Sequence, residues 1–436
     1  MKPTFNQKPF YVLLSCLGIA TLFWVAVSTD STFNTRNPSN VDLNATPIET
    51  NTTTKRPLNL EANLGMSQAQ CLSEFPRLFE SIDKQVLVYR KRGGVFRSDI
   101  EKLSALDTSQ LHIVIKNGRI YLKKFKNTHP YGNRALSVLS HLHDILSYSS
   151  STPIPDVEFV VDCTDYGSAS KPGGLSFTRK TEDELTWLIP DFGFQAWPEV
   201  GLLSYTDMRS DSLMYETNGP KKVEKLLWRG APMTDSRKEL LELAKEPWAD
   251  VQELKWSCLK TPDEEGCRDF VDYKTIPQHC GYKYLMQTEG HSYSGRFKLS
   301  VIYLLNCKSL TLVDKLDWDQ HFHHLLNHDP TSPTQNMILV PPPIKQTLPK
   351  VMKELLRNHE KTNLIIENSW NALRNRYLTP AANACYWRYL LSQYATVLEF
   401  EPSLELGKGR GGAGGTGKAA PYEAFNVMRT VDWEIA

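Results

Sequence analysis

Gly290-His-Ser-Tyr-Ser-Gly-Arg296 is the segment of this sequence whose residue types suit an anion. Glycines let backbone amides approach a phosphate, and a helix starting just after them adds the positive end of its dipole. Arg296 offers a planar fork able to grip a diphosphate through two bonds. The spacing is neither the GxGxxG of dinucleotide loops nor the Gly-Lys-Ser/Thr of a Walker loop. By itself such a turn also occurs as a plain connection. Trp228-Arg229-Gly230, with Arg237 further on, supplies a second cationic group, which alone reads equally as solvated surface. Asp162 and Asp165 close an apolar run, where carboxylates serve as a general base, as metal ligands, or as turn-formers that bond local amides. His321, His323, His324 and His328 are the densest histidine cluster. His321, His324 and His328 would share one helical face. No carboxylate or cysteine stands at a metal-site spacing beside them, so a surface or groove helix is expected.

These groups need elements to hold them at one end of a layer. Leu111–Ile115 and Ile120–Leu122 flank Asn117-Gly118. That arrangement predicts a hairpin, because a type I′ turn needs positive φ at both central residues. Ala135, Val138, Leu139, Leu142, Ile145 and Leu146 form the stripe of an amphipathic helix. Phe75–Lys91 reads as another helix, closed by Gly93-Gly94. Val157–Val161 reads as a buried strand ending in Asp162-Cys163-Thr164-Asp165. A strand over Lys225–Trp228 runs through Arg229-Gly230 into a helix from Ser236, where Ser236 and Glu239 are spaced as a capping box. A third unit comprises Tyr284–Gln287, a polar loop to Gly295, a helix from Arg296 or Phe297, and a strand over Leu310–Val313. Helical patterns then fill Lys345–Arg376 and Cys385–Val397. Strands alternating with helices predict α/β layers with largely parallel sheets, whose ligands sit beyond the carboxyl ends of strands.

The chain of 436 residues is 41% hydrophobic and 23% charged, long enough for two cores. A net charge of +1 and a pI near 7.6 give no basic excess for nucleic acid, and no acidic tail is present. Pro9–Ser28 carries no charge, and about 20 apolar residues span a bilayer. Lys2 and Lys8 precede it, which would keep the short tail cytosolic and the rest lumenal. The segment reads as a signal anchor; a signal peptide cleaved near Ala26-Val27-Ser28 is the alternative. Residues 29 to about 67, rich in Asn, Thr, Ser and Pro, read as a flexible stem with glycosylation acceptors at Asn44 and Asn51. Gly407–Ala420 reads as a glycine-rich linker, and the last segment, from Tyr422 on, has no assignment. Of the eight cysteines, Cys16 lies in the apolar segment, leaving Cys71, Cys163, Cys258, Cys267, Cys280, Cys307 and Cys385. No Cys-x-x-Cys occurs, so structural bridges are expected in an oxidising compartment, with one thiol over.

Cys280-Gly-Tyr-Lys-Tyr-Leu runs through Ser294-Gly-Arg-Phe-Lys298 to Cys307. Leu227-Trp-Arg-Gly230, Leu175-Ser-Phe-Thr178, Val157-Glu-Phe-Val with Asp165-Tyr166, and Cys385-Tyr-Trp387 stand beside it. Taken together and in this order, the motifs resemble glycosyltransferase family 90, which includes fungal capsule-associated proteins and the Rumi-type protein O-glucosyltransferases. The resemblance spans roughly residues 70 to 400. It implies a GT-B architecture of two Rossmann-like domains behind the anchor and stem: an acceptor-side domain over 70–222 and a nucleotide-sugar domain over 223–380. Residues 381–406 would pack back on the first domain, and 407–436 would be linker and tail. The implied reaction is inverting transfer of a sugar, xylose or glucose, from a UDP-sugar to a glycan or glycoprotein hydroxyl in the Golgi or ER, without metal or further cofactor. Asp165 would take the acceptor's proton. Arg237 and Arg296 would hold the diphosphate, with Arg229, Gly230, Tyr293, Ser294, Gly295 and Phe297 lining the donor site. The resemblance further implies the disulfides Cys280–Cys307 and Cys71–Cys385. Cys258–Cys267 follows from proximity in sequence, and Cys163 would remain free.

The chain departs from the Rumi-type pattern where Thr164-Asp165-Tyr166-Gly167 replaces an Arg-Asp-Tyr-Pro run. Two rival readings stand beside this one. A catalytically inactive carbohydrate-binding or scaffold protein would bind donor without turnover, or not at all. A metal-dependent transferase using Asp162 and Asp165 would lose activity with EDTA and regain it with manganese.

Overall fold

The computed structural model describes residues 59–431 apart from 129–130, 149–152, 169, 256–257, 259–266, 268–272, 293–300 and 407–416. The apolar segment 9–28, the acceptors Asn44 and Asn51, and residues 29–58 of the stem lie outside the described residues. Among the described residues no helix is long and apolar enough to cross a membrane. The chain divides into Met1–Arg56 and Pro57–Ala436, and every element below belongs to the second unit.

Packing begins before the boundary expected at residue 70. Met66 is buried, and Glu61 reaches the buried Arg209 at 2.5 Å. Residues 59–69 of the segment read as stem therefore belong to the fold. A Ser67/Gln70 capping box starts α1 (Gln68–Glu74). Next comes α2 (Glu80–Arg92), closed by left-handed Gly93 at φ 94°, as the Gly-Gly pair predicts. After α3 (Arg97–Ala105), strands β1 (Ser109–Lys116) and β2 (Arg119–Phe125) form the expected hairpin. Asn117 and Gly118 carry it at φ 51° and 71°. The apolar stripe of α4 (Tyr131–Ser147) is buried over the sheet, which continues through β3 (Val157–Asp162), β4 (Gly174–Ser176) and β6 (Trp187–Leu188). Between the last two lies β5 (Arg179–Lys180), outside this sheet.

The first sheet has the order β13-β2-β1-β3-β4-β6, its outer strand β13 being Ala420–Pro421. It is parallel only from β3 outward. A two-residue turn can only return the chain antiparallel, and β3 also pairs antiparallel with β1. The expectation of largely parallel, Rossmann-like sheets is corrected for this half.

Helix α5 (Tyr205–Asn218) leads to the second sheet, made of β7 (Val223–Gly230), β8 (Ala249–Glu253), β9 (Tyr282–Gln287), β10 (Leu310–Val313) and β12 (Ile338–Leu339). Its order is β12-β10-β9-β7-β8, and the pairs are parallel. From β7 the chain winds one way through α6 (Asp235–Glu242) to β8, then returns to β9 and continues outward to β10 and β12. The topological switch point, where doubly wound sheets bind ligands, falls between the carboxyl ends of β7 and β9. Between β10 and β12, the short strand β11 (Trp318–Asp319) leaves this half and pairs antiparallel with β5 of the other.

Each sheet has its own core. The helix Pro380–Ala395 returns to the first, burying Ala381, Trp387, Leu391 and Tyr394 there. Cys71–Cys385 ties that helix to α1, and Cys280–Cys307 and Cys258–Cys267 are also closed. Cys163 is the buried free thiol among the described residues. Past the glycine-rich stretch the chain folds again, where a linker and tail were expected. Strand β13 pairs with β2, and the helix Tyr422–Met428 buries Phe425 edge-on against Phe125, with ring centroids 4.8 Å apart.

Candidate active site

Strand alternation decides which face of β7 each residue meets. Arg229 turns to the neighbouring strand: its guanidinium lies 2.7 Å from Asp250 Oδ1 and also donates to the Asp250 carbonyl at 2.7 Å. Trp228, on the other face, donates from Nε1 to Thr288 Oγ1 at 3.1 Å. Gly230 lies between them and the switch point, and a Cβ there would sit 2.7 Å from the Trp228 ring. Of the two arginines in this stretch, the structure places Arg237 at the switch point and Arg229 in an ion pair along the sheet.

Helix α6 begins at Asp235 with Thr234 as its N-cap. The capping box expected at Ser236 is therefore corrected: the helix starts one residue earlier, and its N-cap Thr234 makes no side-chain cap bond. This start turns Arg237 inward, leaving it 2% exposed. Its Nε donates to Thr288 Oγ1 at 3.2 Å and its Nη2 to the Thr288 carbonyl at 3.1 Å. The guanidinium is thereby fixed where β9 ends and the segment toward Gly290 begins. Gly290 lies alongside, where a Cβ would stand 3.6 Å from Arg237 Nη2. Tyr293, Ser294, Gly295, Arg296 and Phe297 lie outside the described residues.

Glu289 follows Thr288 and is buried. Its carboxylate accepts the backbone N–H groups of Asp317 (3.0 Å) and Trp318 (3.2 Å), and its own N–H donates to Asp314 Oδ1 (3.2 Å). Burial, chiefly, raises the Glu289 carboxyl to about 7. Burial also raises that of Asp314. Glu289 thus holds the segment that carries β11 across to the first half. There Trp318 lies beneath the Lys180 ammonium, 4.5 Å from the ring centroid, and 6.3 Å from the ring of Tyr166.

Tyr166 is 53% exposed and follows Asp165, which is fully buried. Arg134, on α4, holds Asp165 Oδ1 at 2.6 Å from Nη1. Asp162 accepts the N–H of Thr164 at 2.8 Å, the local bond of a turn-former. Burial raises its carboxyl to about 6. The turn then passes through Gly167 at φ 71°, where a Cβ would lie 2.6 Å from the Thr178 carbonyl.

The histidines do not share a helical face, so that expectation is corrected. Only His323–Leu325 is helical, as one 3₁₀ turn. His321 is buried among Phe194, Phe322 and Tyr386, whereas His324 bonds the Arg77 carbonyl through Nε2 at 2.8 Å. Among the described residues, the one cluster of potential metal ligands is Glu216 with Cys280 and Cys307, whose sulfurs are already joined to each other.

Sequence reasoning passed over Arg134, Thr288 and Glu289. An arginine one residue before Ala135, at the edge of α4's apolar stripe, is the signal that could have exposed the first. The other two stand between a strand and the glycine loop without a distinguishing pattern.

The profile of Glycosyl transferase family 90 matches residues 68–409. An O-glucosyltransferase rumi homolog of Aedes aegypti is 27% identical over 269 residues, 57% of this chain and 63% of that protein. Protein O-glucosyltransferase 1 of Homo sapiens is 26% identical over 335 residues, 72% of this chain and 79% of that protein. The match to the first of these thus spans less than two thirds of its length. The C-terminal domain of a glycosyl transferase group 1 family protein (LpcC) from Francisella tularensis aligns with 39% of this chain and 92% of that domain, at 14% identity and a TM-score of 0.25. That structural likeness is too slight to carry an argument. The sequence match, which covers the second sheet, the first sheet apart from β13, and the turn holding Asp165, places the chain in glycosyltransferase family 90.

Proposed function

We propose that this protein is an inverting glycosyltransferase of GT-B type that moves a sugar, glucose or xylose, from a UDP-sugar to a hydroxyl of a glycan or glycoprotein. The observation that carries this reading is Arg237, locked onto Thr288 at the switch point of the second sheet. A fixed cation there is already oriented when charge develops on a leaving diphosphate, so no reorganisation is needed at the moment of reaction. The relatives named O-glucosyltransferases support a sugar donor.

In this mechanism the acceptor oxygen forms its bond to the anomeric carbon from the face opposite UDP. The bond from that carbon to the β-phosphate oxygen breaks, and UDP departs against Arg237 and the loop that follows Gly290. The acceptor's proton passes to Asp165 as the new bond forms. Asp165 lies under the surface next to exposed Tyr166, which marks the side from which an acceptor would approach it. No step calls on a metal. The closed disulfides suit an oxidising lumen, consistent with an enzyme of the Golgi or ER anchored through residues 9–28.

The test is a panel of UDP-sugars on the purified full-length protein, scored for thermal stabilisation and UDP release. One donor should stabilise the protein and be consumed, and Asp165→Asn should cut release roughly 10²–10⁴-fold without loss of that stabilisation. Stabilisation without turnover would mark a binding protein instead. Full activity in EDTA-treated enzyme is also expected, and its loss would revive the metal-dependent reading.

A further inference from the structure

Asp165 is one half of a buried ion pair whose other half the sequence did not suggest. Arg134 is 2% exposed. Its Nη1 donates both to Asp165 Oδ1 at 2.6 Å and to the Cys163 carbonyl at 3.2 Å. One guanidinium nitrogen therefore grips the carboxylate and the backbone of the turn that presents it. The guanidinium is itself enclosed by aromatic rings, its carbon lying 4.8 Å from the ring centroid of Phe192, 5.3 Å from Tyr131 and 5.8 Å from Trp197. Such a cage excludes water and holds a cation by its quadrupoles. A carboxylate removed from water needs a partner charge at close range. Asp162 and Asp191 are also near this turn, their charges acting on Cys163 together with that of Arg134.

We propose that Arg134 is a positioning residue for the transfer reaction, orienting the Asp165 carboxylate and supplying its countercharge inside the aromatic cage. This rests on the reading of Asp165 as the base. Arg134 touches no substrate and acts through Asp165 alone. A lysine ammonium would keep the charge but lose the planar guanidinium that lies against the rings of Phe192, Tyr131 and Trp197.

The experiment measures UDP release from UDP-glucose and UDP-xylose, with water as acceptor, by the full-length protein and four variants: Asp165→Asn, Arg134→Met, Arg134→Lys and the double Arg134→Met/Asp165→Asn. Arg134→Met should lower kcat at least about tenfold, leave the KM for the donor within about twofold, and add no further loss in the Asp165→Asn background, since residues acting as a unit are non-additive. Arg134→Lys should recover part of the rate. Multiplying losses in the double variant, or near wild-type kcat in folded Arg134→Met, would overturn the proposal. If Arg134→Met does not fold, Arg134→Lys decides: reduced kcat at unchanged KM supports the role, and unchanged kcat overturns it. Asp165→Asn with full activity would instead sink the base assignment. No release from either donor by the unmodified protein would remove both.

Discussion

Thr288 shows how one small side chain organises the donor side. Its hydroxyl receives hydrogen bonds from Trp228 and Arg237, and its carbonyl receives another from Arg237. Glu289 beside it is a carboxyl in an environment that resists ionisation. Its folded value of about 7 lies above the ordinary 4.5, so the native state binds that proton more tightly than the unfolded chain does. Stability is therefore lost as pH rises from about 4.5 to 7. Glu289→Gln carries no such charge. Relative to the unmodified protein, its unfolding free energy should rise by roughly 2 kcal/mol between pH 5 and pH 8. Parallel denaturant titrations at the two pH values measure it; a pH-independent difference would show that Glu289 is ordinarily ionised. Gly167 is informative in another way. Proline fixes φ near −65°, whereas Gly167 adopts 71° against the Thr178 carbonyl. The turn after Asp165 thus takes a course that the Rumi-type Arg-Asp-Tyr-Pro run would not allow.

At the scale of elements, local pattern was sufficient where one stretch of chain sets its own geometry. Asn117-Gly118 made the hairpin, and the stripe on α4 became its buried face. It was insufficient where an element borrows its stability from a distant partner. The tail is the clearest case. Ala420-Pro421 is a strand because β2 offers an open edge, and the short helix after it forms because Phe425 finds Phe125. A seven-residue helix has little stability alone. Phe425→Ala should therefore cost roughly 3 kcal/mol in urea unfolding; a cost near zero would mean that the tail does not dock. The histidine segment failed for a related reason. Its residues were read on a helical period, but burial beside the Pro380–Ala395 helix and the Arg77 carbonyl draws them to separate partners.

For the molecule as a whole, buried titratable groups predict the response to acid. Burial holds His141 and His279 down to about 4, and His321 well below the ordinary 6.5. These groups stay neutral in the fold and take up protons on unfolding, so each costs stability as pH falls below about 6.5. Glu289 and Asp162, raised to about 7 and about 6, act in the opposite sense over overlapping ranges. His323, held down to about 3, and His324, also lowered by burial, add to these histidines. Together they outweigh the raised carboxyls, so the melting temperature should peak near neutral pH and fall by several °C toward pH 4.5. Calorimetry across that range checks it, and a melting temperature that climbs steadily on acidification would contradict it.

Read alone, the sequence determined the α/β class, the place of Asp165 just past a strand and of Arg237 in a strand-to-helix unit, and, through motif order, the family and the disulfides its resemblance implies. Each is written in local period, turn chemistry or motif order. Only the tertiary structure decided the mixed pairing of the first sheet, the switch point between β7 and β9, and the docking of the tail. It alone joined Arg134 to Asp165 across 31 residues, Arg237 to Thr288 across 51, and Glu289 to Trp318 across 29. The physical reason is common to all three. The strength of a charge or hydrogen bond depends on what surrounds it after burial, and neighbours brought together by strand order leave no periodic trace along the chain.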